Sequence, residues 1–458
     1  MKPYELKPTK DNLIQTFKND TIGRNRDILR FITILDSIND SCAIALDGNW
    51  GSGKTFFVKQ TKMVLDAHNC HVNRMDEEDT DAIIKECERY FKNVSLEIQP
   101  QVCVYYDAWE NDNDDDPILS LVYTILNSVS HEFSFQDRSA LNIGASVLET
   151  VTGRNWKQIV ESLKGNNPLE ALQEEKGLEQ LVHEFLESLL IERGNRLIVF
   201  VDELDRCKPS FAVCLLERIK HYFSHKNITF VFSVNLKELQ HTIRNHYGED
   251  FDGFRYLDRF FDLRMSLPQP DLRRFYESIG FDNGHYTYEM VCDAVIKFYR
   301  FELREIAKYV QLSKIAAYEP THSDTHNFSF PEGIALQFCL LYFVPIMIGL
   351  KILNLEKYTD FIEGKDFSPL IEIANYFSSR MFEGLLKIDE TYDKNNTKMT
   401  VVTVEEKLKA VYEALFVKSY RVNAVGTGIG KMMFDAGIKD ILLRTVGLLS
   451  DYTEMDMD

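Results

Sequence analysis

The sequence predicts an α/β chain, a parallel sheet covered by helices on both faces and followed by a helical C-terminal domain. Three observations predict it. Apolar runs at Arg196–Val201 (RLIVFV) and Ile228–Val234 (ITFVFSV) read as strands buried on both faces, with a helical pattern over Phe211–Phe223 between them. Residues Gly48–Thr55 spell a complete phosphate-binding loop, G-x-x-x-x-G-K-[ST], set between a strand-like run at Ser41–Asp47 and helical periodicity over Thr55–Ala67. After Pro270 the strand-like runs nearly vanish, and helical patterns dominate from Tyr286 onward. Helices alternating with fully apolar strands imply a parallel sheet.

The elements follow in order. Residues 20–40 read as an amphipathic helix entered through Asp20-Thr21-Ile22-Gly23-Arg24, ahead of the first strand and the loop. His68–Gln101 is a polar, acid-rich, helix-prone insertion, and Val102–Ala108 (VCVYYDA) resumes strand character. The acidic run Asn111–Asp116 reads as a solvated loop before a helix at Ile118–Val129, where negative charge suits a helix N-terminus. It lacks the regular ligand spacing of a calcium loop. Residues 134–176 show little pattern, and Gly177–Glu192 reads as a helix.

Two later stretches invite other readings. Gly333–Leu350 is apolar apart from Gln337 and approaches bilayer-spanning length. Gln337, Tyr342 and Pro345 interrupt it, so a buried helix, or two short ones, is the expectation. Gly426–Lys431 imitates a second phosphate loop, but no strand precedes it and Met432 stands where Ser or Thr belongs. It reads as a flexible connection between helices.

A length of 458 residues gives two or three domains and material for a large core. The formal net charge of −19 opposes nonspecific attraction to nucleic acid or an anionic membrane. Eight cysteines without a C-x-x-C pair, and an N-terminus without an apolar signal stretch, predict a reducing cytoplasm. His68, Cys70 and His71 lie close together, but nothing nearby completes a zinc set.

The chemistry starts at the loop. The predicted nucleotide-binding set is Gly48, Asn49, Trp50, Gly51, Ser52, Gly53, Lys54, Thr55 and Phe56. Lys54 reaches the β- and γ-phosphates as a point charge, and the Thr55 hydroxyl is a Mg²⁺ ligand. Hydrolysis also needs a second metal anchor and a base. Asp202 and Glu203 follow the strand Arg196–Val201 at its carboxyl end, where ligands of parallel sheets gather. Asp202 is the expected second anchor, and Glu203 the group that orients and deprotonates water. No guanine-selecting N-K-x-D string occurs, so ATP and Mg²⁺ are the expected cofactors. Asn235 ends the next strand and reads as either a γ-phosphate sensor or a plain turn residue. Arg259, preferred over Arg255, lies just before the last candidate strand and reads as a trans-acting cation for a neighbouring copy or as a surface ion-pair member.

Taken together these residues resemble the KAP family of P-loop NTPases. The matching pieces are Asp20 to Arg24 (DTIGR), the loop with Trp50 inside it, Tyr106-Asp107-Ala108-Trp109-Glu110, Asp202 to Cys207 (DELDRC), Tyr256 to Phe261 (YLDRFF) and Leu303-Arg304-Glu305-Ile306. The resemblance covers roughly residues 18–315. It implies an ASCE-type, AAA+-like core with an extra strand between the phosphate-loop strand and the metal-anchor strand, and a helical bundle behind. It also implies that Arg304 contacts nucleotide from the helical part. Glu203 stands where many members have a second Asp, and Asn235 where members often carry Asp. The implied division is an NTPase domain at 1–270, with polar insertions near 68–101 and 134–176, and a helical domain at 271–458. Both insertions are too polar to span a bilayer where other members place membrane helices, so the chain resembles a soluble member. The resemblance implies an ATPase switch or assembly ATPase in bacterial defence against phage, a homo-oligomer or a chain paired with an operon-encoded effector. The alternatives are a non-catalytic scaffold stabilised by nucleotide and a membrane-associated signalling NTPase.

Overall fold

The computed structural model describes residues 6–69, 76–90, 98–99, 101–113, 117–130, 195–222, 227–281, 287–316, 334–376, 403–418, 426–429 and 432–447. The chain divides into two compact units, Leu6–Phe275 and the residues from Tyr276 onward. The expectations for 134–176, for the helix at Gly177–Glu192, and for Cys70 and His71 lie outside the described residues.

In the first unit α1 (Lys10–Lys18) and α2 (Asn25–Ser37) precede β1 (Cys42–Asp47), α3 (Lys54–Ala67) and α4 (Glu77–Tyr90). Then follow β2 (Gln101–Asp107), α5 (Pro117–Ser130), β3 (Arg196–Asp202), α6 (Pro209–Tyr222) and β4 (Ile228–Val234). The unit continues through α7 (Leu236–Tyr247), the short α8 (Gly253–Leu257) and β5 (Leu263–Ser266). The five strands form one parallel sheet in the order β2-β3-β4-β1-β5. Strand β4 therefore separates the phosphate-loop strand β1 from β3, as the resemblance implied.

Alternation along each strand feeds two cores. Leu197, Val199 and Val201 of β3 pack with Phe230 and Phe232 of β4 and with residues of α5, α6 and α7. Ile198, Phe200 and Val231 face the other way, toward Ile28 and Ile32 of α2 and Phe57 and Val64 of α3. Every residue of β3 and β4 is buried, which is why both runs are continuously apolar rather than alternating. The register sets Asp107 beside Asp202 and Asp202 beside Ser233, so the carboxyl edge of the sheet carries a row of polar side chains.

The structure moves some predicted boundaries. The helix expected over residues 20–40 starts at Asn25, behind the earlier α1, because Asp20 (φ 46°) and Gly23 (φ 72°) both adopt left-handed backbone and turn the chain. The polar insertion is partly structural, since Ile83 and Cys87 on α4 enter the core.

Among its described residues the second unit is helical apart from one antiparallel pair of short strands. After α9 (Leu272–Ser278) come α10 (Thr287–Tyr299), α11 (Leu303–Ala316), α12 (Ile334–Leu353), α13 (Leu355–Ile362), α14 (Ser368–Tyr376), α15 (Val404–Tyr412) and α16 (Ala436–Gly447). The apolar run is one continuous helix, α12, with Pro345 inside it. Among the described residues it is the one helix long and apolar enough to cross a membrane, and 67% of that stretch is buried in the structure. A Cβ at Gly349 would lie 2.5 Å from Val295 Cγ1, so α12 packs closely on α10. Within the expected helix connection at Gly426–Lys431, Thr427–Ile429 instead form a short strand, β6, paired antiparallel with β7 (Met432–Phe434). Met432 and Phe434 point inward while Met433 is exposed, a period of two that only a strand satisfies.

Candidate nucleotide-binding site

The phosphate loop is hung between β1 and α3. Gly48 donates its N–H to Val234 O at 3.1 Å, which ties the loop to the neighbouring strand β4. Gly51 and Gly53 have φ of 83° and 91°, conformations that residues with a Cβ rarely adopt. They let the chain turn sharply into α3, whose first turn has no side-chain cap. Its leading N–H groups are thus available to an anion. Lys54 is buried and donates to Gly48 O at 2.5 Å and Asn49 O at 3.1 Å. Burial pushes its ammonium below the usual lysine range, while Asp205, Asp202 and Glu203 oppose that.

Strand β3 delivers the carboxylates. Thr55 Oγ1 donates to Asp202 Oδ2 at 2.7 Å, and the Tyr105 hydroxyl donates to the same oxygen at 2.9 Å. Glu203 follows with φ of 62°, a left-handed conformation uncommon outside glycine, and donates its own N–H to Asp202 Oδ1 at 3.1 Å. Burial, then the charge of Asp202, pushes the Glu203 carboxyl up to about 7, with Arg206 opposing. Its Oε2 is engaged by Arg206 Nε at 2.5 Å. The 3₁₀ turn Leu204–Arg206 carries both Asp205 and Arg206. Trp50 Nε1 donates to Asp205 Oδ2 at 2.6 Å, and the guanidinium of Arg206 lies 5.8 Å from the Trp50 ring and 5.6 Å from the Trp109 ring. Behind the loop, Arg24 Nη1 donates to Ser52 O at 2.8 Å.

The donor set fits the expected cofactors. A threonine hydroxyl already in contact with a carboxylate is a hard-oxygen pair of the kind Mg²⁺ takes. The left-handed glycines and the uncapped helix form a concave array of N–H donors suited to phosphate.

The sequence profile of the KAP family P-loop domain matches residues 24–280, more than half of the chain. The chain belongs to the KAP family. No curated protein sequence matches it. Solved structures with remote similarity include ORC2 and PCH-2. The ORC2 protein of Aeropyrum pernix, solved as ADPNP–ADP complexes, is 13% identical, with 87% of this chain and 94% of that one covered and a TM-score of 0.30. PCH-2 of C. elegans is 12% identical, with 82% and 70% covered and a TM-score of 0.21.

Within the KAP domain, the structure gathers Trp50, Lys54, Thr55, Asp202 and Glu203 in one cluster. Asn235 is buried, and its Oδ1 accepts from the N–H groups of Lys237 and Glu238, so it is the N-cap of α7. Phe56 packs against the core of α2 and α3. Arg259 is exposed on the turn after α8, and among the described residues its guanidinium forms no ion pair; its backbone oxygen accepts from Lys220 Nζ at 2.7 Å. Arg255 instead pairs with Asp252 at 3.4 Å. Arg304 is an exposed residue of the first turn of α11, in the second unit.

Four contributors to the site were not given roles by sequence reasoning: Arg24, Tyr105, Trp109 and Arg206. The i, i+3 spacing of Glu203 and Arg206 was the one readable signal. Arg24, Trp109 and Arg206 stood in the family motifs without a task.

Proposed function

We propose that the chain is a Mg²⁺-dependent ATP hydrolase that acts as a nucleotide-driven switch or assembly ATPase. The observation that carries the reading is the 2.7 Å contact between Thr55 and Asp202, which joins the phosphate loop to the carboxyl end of β3 with Glu203 next in sequence. Thr55 and Asp202 would hold the metal, which when bound supplies neutralisation of phosphate charge. Lys54 places a buried positive charge at the transferring phosphate. Glu203 orients the attacking water and accepts its proton. Asn235, beyond its capping role, offers its amide to the γ-phosphate, and the family resemblance adds Arg304 to the nucleotide-binding residues. Arg259 acts on the nucleotide of a neighbouring copy, which makes the active form an oligomer. The setting of anti-phage defence, the cytoplasm and an operon-encoded effector rests on the family resemblance.

The test is phosphate release with and without Mg²⁺. Lys54→Ala is expected to abolish nucleotide binding, whereas Glu203→Gln binds ATP but loses turnover. Glu203→Gln hydrolysing at the wild-type rate would remove the assigned base. One observation favours the second reading, a nucleotide-stabilised scaffold: the Glu203 carboxylate is engaged by Arg206. Mg²⁺-independent background release by the wild-type chain would establish that reading instead.

A further inference from the structure

Glu203 and its restraint form a circuit with the phosphate loop. Lys54 Nζ rests on the carbonyl oxygens of Gly48 and Asn49, the two residues before Trp50. Trp50 donates to Asp205, Asp205 precedes Arg206, and Arg206 engages the Glu203 carboxylate. The second ring beside Arg206 comes from the end of β2. There Asp107 Oδ1 accepts the N–H groups of Trp109 and Glu110, both at 3.1 Å, which fixes the turn that presents Trp109.

The two indoles are not placed by core packing. Trp50 and Trp109 are 46% and 52% exposed, a poor position for the largest apolar side chains unless their faces serve a cation. Arg206 is that cation, planar and able to stack while its edge binds a carboxylate. A carboxylate oxygen taken up by a guanidinium directs its lone pair at Arg206 rather than at water. The ion pair thus opposes the water-orienting task assigned to Glu203.

We propose that Arg206 is a positioning residue that latches Glu203 in the nucleotide-free chain, with Trp50 and Trp109 holding the latch closed and phosphate entry opening it. The inference rests on Glu203 being the base. Phosphate competes for the Lys54 ammonium and so frees the two carbonyls that brace the turn under Trp50. Movement of Trp50 pulls on Asp205 and removes one wall of the Arg206 site. Hydrolysis is thereby tied to a loop that holds a nucleotide.

The experiment measures steady-state ATP turnover and intrinsic tryptophan emission on titration with ADP, in the full chain and in Arg206→Ala, Trp109→Ala and Glu203→Gln. Arg206→Ala is expected to raise kcat several-fold with KM within about twofold, and to lose the nucleotide-dependent emission change of the wild type. Trp109→Ala, at an exposed position outside the loop, is expected to raise kcat by a smaller factor, and it carries the test if Arg206→Ala does not fold. A kcat at or below wild type in both variants, or an emission change that survives Arg206→Ala, overturns the latch. The base assignment fails separately, by wild-type turnover in Glu203→Gln. Loss of turnover in Glu203→Gln with no rise in the other two variants sinks the latch alone.

Discussion

Arg24 reaches through its Nη1 to the backbone oxygen of Ser52 at 2.8 Å, so the residue that opens α2 braces the phosphate loop from behind. Both are buried, at 5% and 7% exposure. The Asp20-x-x-Gly23-Arg24 motif thereby gains a physical task. Asp20 accepts the N–H of Asn25 at 3.1 Å and the hydroxyl of Tyr90 at 2.8 Å, and it pairs with Arg274. A Cβ at Gly23 would lie 2.6 Å from Asp271 Cβ. The motif packs the start of α2 so that one guanidinium arrives at the loop.

Arg24→Ala removes a charged donor from a buried carbonyl, an interaction of about 1.5–3 kcal/mol. Nucleotide affinity is expected to fall about tenfold or more, with a lower Tm. Calorimetric titration and thermal melts check this; an unchanged Kd would show that the loop holds its shape without the brace.

Asn235 serves as a cap whether or not it senses phosphate. Asn235→Ala is expected to cost about 1 kcal/mol of stability through loss of the α7 cap, while Asn235→Asp keeps it, since either side chain presents the accepting oxygen. Denaturant melts separate them. Equal destabilisation by both would show that the capping bond does not carry the effect.

Arg259 is exposed and has no ion-pair partner among the described residues, so Arg259→Ala should leave Tm and nucleotide binding unchanged. If it acts in trans, turnover falls by about 10³-fold, and mixing with Lys54→Ala copies restores part of the rate. Each chain then supplies what the other lacks. No recovery on mixing, with both proteins folded, rules out the trans role.

Cys207 donates to the Glu203 carbonyl at 3.5 Å, yet burial, reinforced by Asp112 and Asp205, holds its thiol well above the usual range. A raised pKa keeps it as the unreactive thiol through pH 9. Native alkylation between about pH 7 and 9 is expected to modify the partly exposed Cys214, while Cys207 stays unmodified until the chain unfolds. Peptide mass mapping reads both; early labelling of Cys207 would mean that the turn after β3 opens in the native state.

The strands, the loop and the carboxylates after β3 were legible because each is a local pattern: a buried parallel strand is a short apolar run, and a phosphate loop is a fixed spacing. The continuous α12 was legible in composition but not in length, since Pro345 lowers helical propensity and only packing against neighbouring helices outweighs it. The pairing of β6 with β7 was missed because the two strands are three residues each, too short for periodicity to register.

By itself, the sequence determined that a nucleotide loop sits between a strand and a helix, that Asp202 and Glu203 close the third strand, and that the family is KAP. Tertiary structure alone decided which distant side chains meet. Thr55 and Asp202 are 147 positions apart, and only the insertion of β4 between β1 and β3 sets their separation at 2.7 Å. The same sheet order brings the Trp50 and Trp109 rings to 5.8 and 5.6 Å from the Arg206 guanidinium. Period and spacing report on neighbours within one element, whereas these contacts depend on how strands are ordered across a sheet.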